Sequence, residues 1–387
     1  SLVTAEAIDR VVDDGRPHAV VVVGGGGSRA AGDILAAVAG SGSPVPVMTF
    51  GGPSLPGWVG PTDLVVAVSG SGRTPETLEV AAEAARRGCR LLVVSPDRTP
   101  LAHLADQTRG AVSVGVGIPT VSGTWRARTL MWSLATPLVL MAGGLGLVEH
   151  AQEAVDAAAD ELDRVADVCS PLRDSVVNDA KRMAVDVALS LPMLWGTGDV
   201  GAIAAKRFAR QLAENAGLPA VVGTLPEAAR TQSVLLAGPR AGQAHVDDIF
   251  RDRVEQPEAA TKLRLMLLRD SGEHPETAAL AAAAVDLAES RGVPVNVLTA
   301  EGTHALTRLA SLVGVCDFAS IYAGLALGLD PMSAANELDG RVRQHLPRGL
   351  SEQLTDTRRA RAPNRRLLAE LRLGYPWRSR PMARRFR

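Results

Sequence analysis

Short apolar runs rich in Val alternate with amphipathic stretches along the first half of the chain. The first run is His18–Val23, and similar runs follow at Val45–Thr49, Asp63–Val68, Arg90–Val94 and Ala111–Val116. Continuous β-branched runs without polar alternation are typical of strands that are buried on both faces of a parallel sheet. Because the intervening segments have helical spacing, the pattern predicts a doubly wound α/β fold.

The same alternation begins again in the second half, after a stretch at residues 151–185 that has helical spacing and is predicted to be a helical connection. Further strands are predicted at Pro192–Trp195, Ala220–Val222, Lys262–Leu268 and Val293–Leu298. The predicted helices of this half are Val200–Ala216, Thr277–Arg291, Thr303–Leu312, Asp317–Gly328 and Met332–His345. Strand, glycine-rich turn and helix recur in both halves, so we expect a structural repeat.

Length and composition fit two such domains. The chain has 387 residues, of which 46% are apolar and only 3% aromatic. We therefore expect a first domain at residues 1–150, a second at 186–346, and a C-terminal tail at 347–387. The scarcity of aromatic residues disfavours a protein that binds nucleic acid by stacking on bases.

The net charge of −1 conceals an uneven distribution. From Arg358 to Arg387 the tail carries eleven arginines and one acidic residue, Glu370, which leaves the rest of the chain near −11. Such a tail could contact nucleic acid or acidic lipid. We favour the alternative that it contacts the acidic body of the protein or stays disordered.

The cysteines and apolar segments indicate a cytoplasmic protein without a membrane span. Cys89, Cys169 and Cys316 are far apart and form no CxxC motif, which argues against both a disulfide framework and a zinc site. The N-terminal residues lack the pattern of a signal peptide. The apolar segment at 130–147 contains three glycines, so a buried helix is favoured over a membrane span.

The clearest chemical motif is SGSGRTPET at Ser69–Thr77, which lies where a buried strand ends and a helix begins. Ser69, Ser71, Thr74 and Thr77 supply hydroxyl groups, and the glycines let backbone N–H groups turn toward one point. Pro75 suits the first turn of a helix, whose N-terminus favours an anion. The motif therefore predicts a phosphate-binding loop; a capped turn that binds nothing is the alternative.

A second glycine-rich turn, GGGGS at Gly24–Ser28, follows the first predicted strand. Arg29 stands where the third glycine of a dinucleotide-binding GxGxxG motif belongs, so that interpretation is disfavoured. We expect Gly26, Gly27 and Ser28 to approach a sugar phosphate closely. A tight turn with no ligand is the alternative.

These two loops, in this order, resemble those of the SIS superfamily, and more narrowly of the bifunctional phosphoglucose/phosphomannose isomerases. The family has a GMGGS-like loop, here GGGGS, and SYSGNTEET, here SGSGRTPET. Its Gly-x-x-Pro-Arg-Ala string is matched loosely at Gly123–Ala127, with Trp125 in place of proline. Its Arg-x-x-x-Gln-Leu-x-Glu-Asn string is matched well at Arg207–Asn215. The resemblance implies two SIS-type doubly wound domains, each a parallel sheet flanked by helices.

The resemblance also implies an aldose–ketose isomerisation of hexose phosphates. Glucose 6-phosphate or mannose 6-phosphate would be interconverted with fructose 6-phosphate through an enediolate. Glu214 would transfer the proton between C1 and C2, and Arg126 would stabilise the enediolate oxygens. No metal or other cofactor is implied, and a homodimer is expected because sites in this family are often completed across subunits.

Two positions depart from the family. Arg230 stands where a histidine assists ring opening, and Arg341 stands where a lysine follows Asp330-Pro331. A guanidinium stays protonated and cannot exchange a proton, although it can hold an anion. The alternative to an enzyme is therefore a catalytically silent sensor that binds a hexose phosphate. An aminosugar-phosphate deaminase or transferase subunit is a third, disfavoured alternative, because no N-terminal cysteine nucleophile or amidotransferase domain is present.

Among the histidines, only His304 has a claim to a functional site. Two alternatives are open, a side chain that faces a cleft and the cap of a helix start.

Overall fold

The computed structural model describes residues 2–117, 130–241 and 262–331 of the chain. The first half contains a parallel sheet with the strand order β2-β1-β3-β4-β5. Its strands are β1 (Val20–Val23), β2 (Val47–Phe50), β3 (Leu64–Val68), β4 (Arg90–Ser95) and β5 (Val112–Gly115). All five lie where the apolar runs predict them. Every neighbouring pair is parallel, which confirms the predicted arrangement.

The second half contains a parallel sheet with the strand order β7-β6-β8-β9. Its strands are β6 (Leu191–Thr197), β7 (Val221–Leu225), β8 (Leu263–Arg269) and β9 (Val295–Thr299). The first strand of each half pairs with the second on one side and the third on the other. The predicted repeat is thus confirmed in strand order, and so is the α/β fold class.

Helices cover both faces of each sheet. In the first half they are α1 (Leu2–Asp13), α2 (Gly27–Ala39), α3 (Pro75–Arg86), α4 (Pro100–Gln107) and α5 (Met131–Gly144). In the second half and the connection to it they are α6 (Ala151–Val168), α7 (Asp179–Ala188), α8 (Gly198–Ala216), α9 (Glu227–Thr231), α10 (Pro275–Ser290) and α11 (Ala305–Ala326), with a short 3₁₀ helix at Ser233–Ala237. The connection is therefore two helices separated by a loop.

The strands bury side chains on both faces, as their composition requires. In β1, Val20 and Val22 point into a core that also contains α2 and α5. Val21 and Val23 point the other way, toward α3 and α4. Fully buried strands of this kind explain why the sequence shows continuous apolar runs instead of alternation.

One hydrophobic core runs through both halves of the chain. It includes Ile34 and Leu35 of α2 as well as Phe208 and Leu212 of α8. The described residues of both halves accordingly belong to one compact unit. The predicted domain limits at residues 150 and 186 stay a prediction. The predicted helix at Met332–His345 and the arginine-rich tail lie outside the described residues.

The prediction of two helices at Thr303–Leu312 and Asp317–Gly328 is wrong, because α11 is continuous across that region. Gly314 lies in the interval between the two predicted helices. In the structure a Cβ at Gly314 would lie 2.8 Å from Cγ1 of Val165 on α6, so this glycine permits close helix packing.

Two apolar helices lie in the core. Helix α5 falls within the apolar segment at 130–147, and its buried residues confirm the interpretation as a core helix. Helix α11 is long and apolar enough to cross a bilayer by length and composition, and most of it is buried inside the protein.

Candidate functional site

The two glycine-rich loops lie side by side at the carboxyl end of the first sheet. Gly24–Gly26 connect β1 to α2, and Ser69–Thr74 connect β3 to α3. The chain moves from β1 outward to β2 and then returns to β3 on the other side of β1. Such a reversal of strand order opens a crevice in which α/β proteins bind ligands.

Hydrogen bonds join these loops into one structure. The buried Ser28 Oγ accepts the N–H of Gly70 at 3.2 Å. Within the second loop, Ser69 is only 1% exposed, and its Oγ lies 3.0 Å from Thr74 Oγ1 and 3.4 Å from Ser71 Oγ. The hydroxyl groups predicted to bind phosphate are therefore gathered at one point.

The start of α3 lacks the cap that its sequence would allow. Thr74 occupies the N-cap position, but its side chain makes no capping hydrogen bond, because its hydroxyl is turned toward Ser69. Thr77 is buried in the first turn of the same helix. Uncapped first-turn N–H groups carry partial positive charge and suit an anionic guest.

Gly72 sets the path of this loop. Its φ of +62° lies in the left-handed region, and a Cβ there would lie 2.2 Å from Thr99 Oγ1. The N–H of Gly72 donates to Ser69 Oγ at 3.0 Å, and the N–H of Arg73 donates to Ser71 Oγ at 3.2 Å. Glycine is thus required where the loop turns toward the helix.

Glu214 belongs to the second half but lies beside the glycine loop of the first. Its Oε1 accepts a 2.7 Å hydrogen bond from Nε of Arg210, one turn earlier on α8. The Arg210 guanidinium lies against Gly26, whose ideal Cβ position is 3.7 Å from both terminal nitrogens. The predicted base and the predicted glycine loop are thereby brought together.

A polar network anchors this part of α8 to α11. Arg207 donates to both oxygens of Asp317, through Nε at 2.9 Å and through a terminal nitrogen at 2.6 Å. Asn215 donates to Ser320 Oγ at 2.8 Å in a buried contact. Burial raises the pKa of Asp317, with a contribution from the Glu214 carboxylate, while Arg207 acts in the opposite direction.

Sequence reasoning missed Asp317 and Ser320 because they lie about a hundred residues beyond α8 in an apolar helix. No motif marks them. The signal that could have indicated Asp317 is its charge in an otherwise apolar run, since a carboxylate there needs a cationic partner.

The structure does not bring the remaining predicted site residues together with the two loops and Glu214. Arg230 is exposed on the short helix α9, and its side chain makes no hydrogen bond or ion pair with any residue that the structure describes. Arg126 and Arg341 lie outside the described residues. His304 caps α11, since its Nδ1 accepts the N–H of Leu306 at 3.1 Å, which fits the capping alternative.

The second half contains a counterpart of the phosphate loop that the sequence analysis did not find. Arg269–Thr277 reads RDSGEHPET, against SGSGRTPET at Ser69–Thr77. It leads from β8 to α10, as the first leads from β3 to α3. Asp270 N–H donates to Thr197 Oγ1 at 2.8 Å, which repeats the contact between Gly70 and Ser28.

This counterpart is filled by the protein's own charges. Oδ1 of Asp270 accepts the N–H of Gly272 at 3.0 Å and Nε of Arg308 at 2.6 Å. Nδ1 of His274 accepts the N–H of Glu276 and so caps α10. A carboxylate, an arginine and a cap therefore occupy the place where the first loop offers hydroxyl groups and an uncapped helix.

Comparison with known proteins agrees with this architecture. Residues 176–336 match the bacterial phospho-glucose isomerase C-terminal SIS domain. The chain is 24% identical over 329 residues to a bifunctional phosphoglucose/phosphomannose isomerase of Caldicellulosiruptor bescii, covering 85% of this chain and 87% of that one.

Solved structures share the fold at lower identity. Tagatose-6-phosphate ketose/aldose isomerase from Escherichia coli superposes with a TM-score of 0.59 at 15% identity, over 85% of this chain and 90% of that chain. A glucose-6-phosphate isomerase like protein from Thermus thermophilus gives 0.54 at 18% identity, over 89% and 94%.

Proposed function

We propose that this chain, which is similar to the bifunctional phosphoglucose/phosphomannose isomerases, interconverts glucose 6-phosphate or mannose 6-phosphate with fructose 6-phosphate. The observation that carries this proposal is the cluster of hydroxyl groups at Ser69–Thr74, with Glu214 linked through Arg210 to the neighbouring glycine loop. No metal or other cofactor enters the proposed reaction.

The phosphate would be held by the hydroxyl groups of Ser69, Ser71 and Thr74 together with the first-turn N–H groups of α3. The dianion would replace the mutual hydrogen bonds of these hydroxyl groups, which lie 3.0 to 3.4 Å apart. Charge-assisted hydrogen bonds of this kind are stronger than the neutral ones they replace. Ser28, Gly26 and Gly27 would line the adjoining wall.

Glu214 would carry the proton in the isomerisation. Its carboxylate would remove the proton from C2 of the open-chain aldose, and the electron pair would move into a 1,2-enediolate. The same proton would then return to C1, while the hydroxyl proton on the C2 oxygen passes to the C1 oxygen, so that C2 becomes the ketose carbonyl and C1 carries the hydroxyl group. Since C2 is planar in the enediolate, glucose and mannose phosphates give the same intermediate, which accounts for action on both epimers.

Arg126, Arg230 and Arg341 would act as cations in this scheme. Arg126 would stabilise the enediolate. A guanidinium at positions 230 and 341 cannot exchange protons during ring opening, so these two residues would bind anionic groups of the substrate. Ring opening would then proceed in solution or with another group.

The second candidate is a catalytically silent protein that binds a hexose phosphate and regulates a partner. The replacement of proton-exchanging residues by Arg230 and Arg341 favours it. The pairing of Glu214 with Arg210 at 2.7 Å is also compatible with it, because an ion pair of this kind needs no catalytic role.

Turnover measurements separate the two candidates. Purified protein is given fructose 6-phosphate, and both aldose products are followed, with Glu214→Gln as the test variant. We expect turnover that falls by about a thousandfold or more in this variant, as for loss of a general base. Glu289→Gln, an exposed change at the end of α10, is the matched control and should keep full activity.

Saturable binding without turnover would support the silent protein instead. If neither turnover nor binding of any hexose monophosphate is found, both candidates are wrong. We further propose a cytoplasmic homodimer, to be tested by light scattering of the purified chain.

A further inference from the structure

Arg210 is the residue that joins the two halves of the proposed site. It lies on α8 of the second half, and its guanidinium reaches Gly26 at the start of α2. In the family string matched at Arg207–Asn215, Arg210 occupies a position at which the pattern specifies no residue.

The guanidinium of Arg210 contacts Glu214 through one nitrogen and the glycine loop through the other two. Its Nε donates to Glu214, while both terminal nitrogens lie 3.7 Å from the point where a side chain of Gly26 would begin. Among the described residues, these terminal nitrogens have no hydrogen-bond partner. The Arg210 side chain is 36% exposed, and its two terminal nitrogens lie beside the glycine loop. Such a fork of N–H donors suits a bidentate oxyanion.

The glycine loop lies between the phosphate loop and the Arg210–Glu214 pair. Cγ2 of Thr74 lies 3.8 Å from the ideal Cβ position of Gly25, and Arg210 lies at the next residue, Gly26. A hexose phosphate held at Thr74 would run along these two glycines. Its C1–C2 end would then reach the side of the site where Arg210 and Glu214 lie.

We propose that Arg210 is a catalytic residue of this site, and that its terminal N–H groups bind the oxygens on C1 and C2 as they acquire negative charge. This inference rests on the proposed isomerisation. It adds a cation supplied by the same helix as Glu214 and distinct from Arg126. The carboxylate of Glu214 keeps its bond to Nε throughout, so base and cation are held at a fixed spacing.

The effect should appear in the transition state more than in the bound substrate. The sugar oxygens are neutral in fructose 6-phosphate and become anionic in the enediolate. Removing one such donor from an enzyme commonly lowers kcat by about 10²-fold. We therefore expect Arg210→Gln to lower kcat by about a hundredfold, while KM changes by less than about threefold.

Binding measurements test the same point without turnover. The probes are inorganic phosphate, fructose 6-phosphate and a five-carbon aldonate 5-phosphate, whose carboxylate imitates the enediolate oxygens. In Arg210→Gln, calorimetry should show aldonate phosphate affinity falling about a hundredfold, with inorganic phosphate unchanged. Lys206→Gln removes an exposed charge from the same helix and should change none of the three affinities.

A double substitution separates direct binding from an effect through Glu214. Without the positive charge of Arg210, the negative charge of Glu214 would itself repel the aldonate. In a Glu214→Gln background this repulsion is absent, and we expect Arg210→Gln still to weaken the aldonate phosphate at least about fivefold. If the second change has no effect there, Arg210 only neutralises Glu214 and the inference is wrong.

The outcomes also distinguish this inference from the proposed function. Wild-type protein that binds none of the three probes contradicts the proposed function itself. Wild-type protein that binds all three, with Arg210→Gln binding the aldonate phosphate equally well, contradicts only the role of Arg210.

Discussion

The two strand-to-helix loops at Ser69–Thr77 and Arg269–Thr277 differ in what occupies them. Both follow the third strand of their half, and both share the Ser-Gly and Pro-Glu-Thr positions. In the first, hydroxyl groups contact one another and the helix is uncapped. In the second, the Asp270 carboxylate and Arg308 fill the same place.

The two loops share a backbone structure but differ in the groups that occupy it. The backbone course and the contact to the neighbouring glycine turn are common to both halves. We propose that a ligand binds only at the first loop, where no carboxylate among the described residues takes its place. In the second loop, the Asp270 carboxylate binds the Gly272 N–H and Arg308 instead.

The largest expected effect is a loss of affinity for fructose 6-phosphate when a carboxylate is introduced into the first loop. Ser71→Asp places a negative charge at an exposed position beside the loop N–H groups. Like charges about 4 Å apart repel by about 4 kcal/mol at an effective dielectric constant near 20. Titration calorimetry should show affinity for fructose 6-phosphate at least about a hundredfold lower.

The matched control is Ser271→Asp, which makes the same change at the equivalent, exposed position of the second loop. It should leave the affinity unchanged. Equal losses in both variants would mean that the two loops do not differ in function.

Removing the ion pair between Asp270 and Arg308 in the second loop should lower the thermal stability of the protein and leave its affinity for sugar phosphate unchanged. The side chains of Arg308 and Asp270 are 16% and 9% exposed. Arg308→Met leaves the Asp270 carboxylate largely buried without this partner, which commonly destabilises a protein by about 3 kcal/mol. We expect a thermal midpoint several degrees lower by circular dichroism. Arg291→Met, an exposed change after α10, should leave the midpoint near that of the wild type; an equal midpoint for Arg308→Met would contradict the account.

The smallest effect concerns pH. Burial lowers the pKa of His304 from its ordinary value of 6.5, and the charge of Arg308 lowers it further. The folded protein thus favours the neutral ring, whose stabilisation is complete above pH 6.5 and is lost as pH falls through 6.5 toward the lower folded value.

His304→Asn can still cap α11 but does not titrate. We expect the decline in thermal midpoint between about pH 7.5 and 5.5 to be shallower in this variant, by less than about 1 kcal/mol in stability. A decline identical to that of the wild type would show that His304 is not responsible.

The sequence allowed the fold and the first loop to be predicted, because both depend on local pattern. Valine runs mark the buried strands, and SGSGRTPET marks a loop at a helix start. The contact of Arg210 with Gly26 and the pairing of Arg207 with Asp317 could not be predicted in the same way. They join residues more than a hundred positions apart, and only the packing of α8 between α2 and α11 brings them together.

The counterpart loop was overlooked for a different reason. Its Asp270 and Glu273 replace glycine and arginine, so the segment resembles a charged turn more than a phosphate loop. The shared Pro-Glu-Thr string was the available signal. Asp270, which makes the two loop sequences look different, is also the residue whose carboxylate occupies the second loop.

A crystal structure of the protein with fructose 6-phosphate tests the central claim most directly. We expect the phosphate at the first turn of α3, bound by Ser69, Ser71 and Thr74, with the sugar extending along the glycine loop toward Glu214. Density for the phosphate at the loop following β8, or a first loop that stays empty at saturating ligand, would contradict the account.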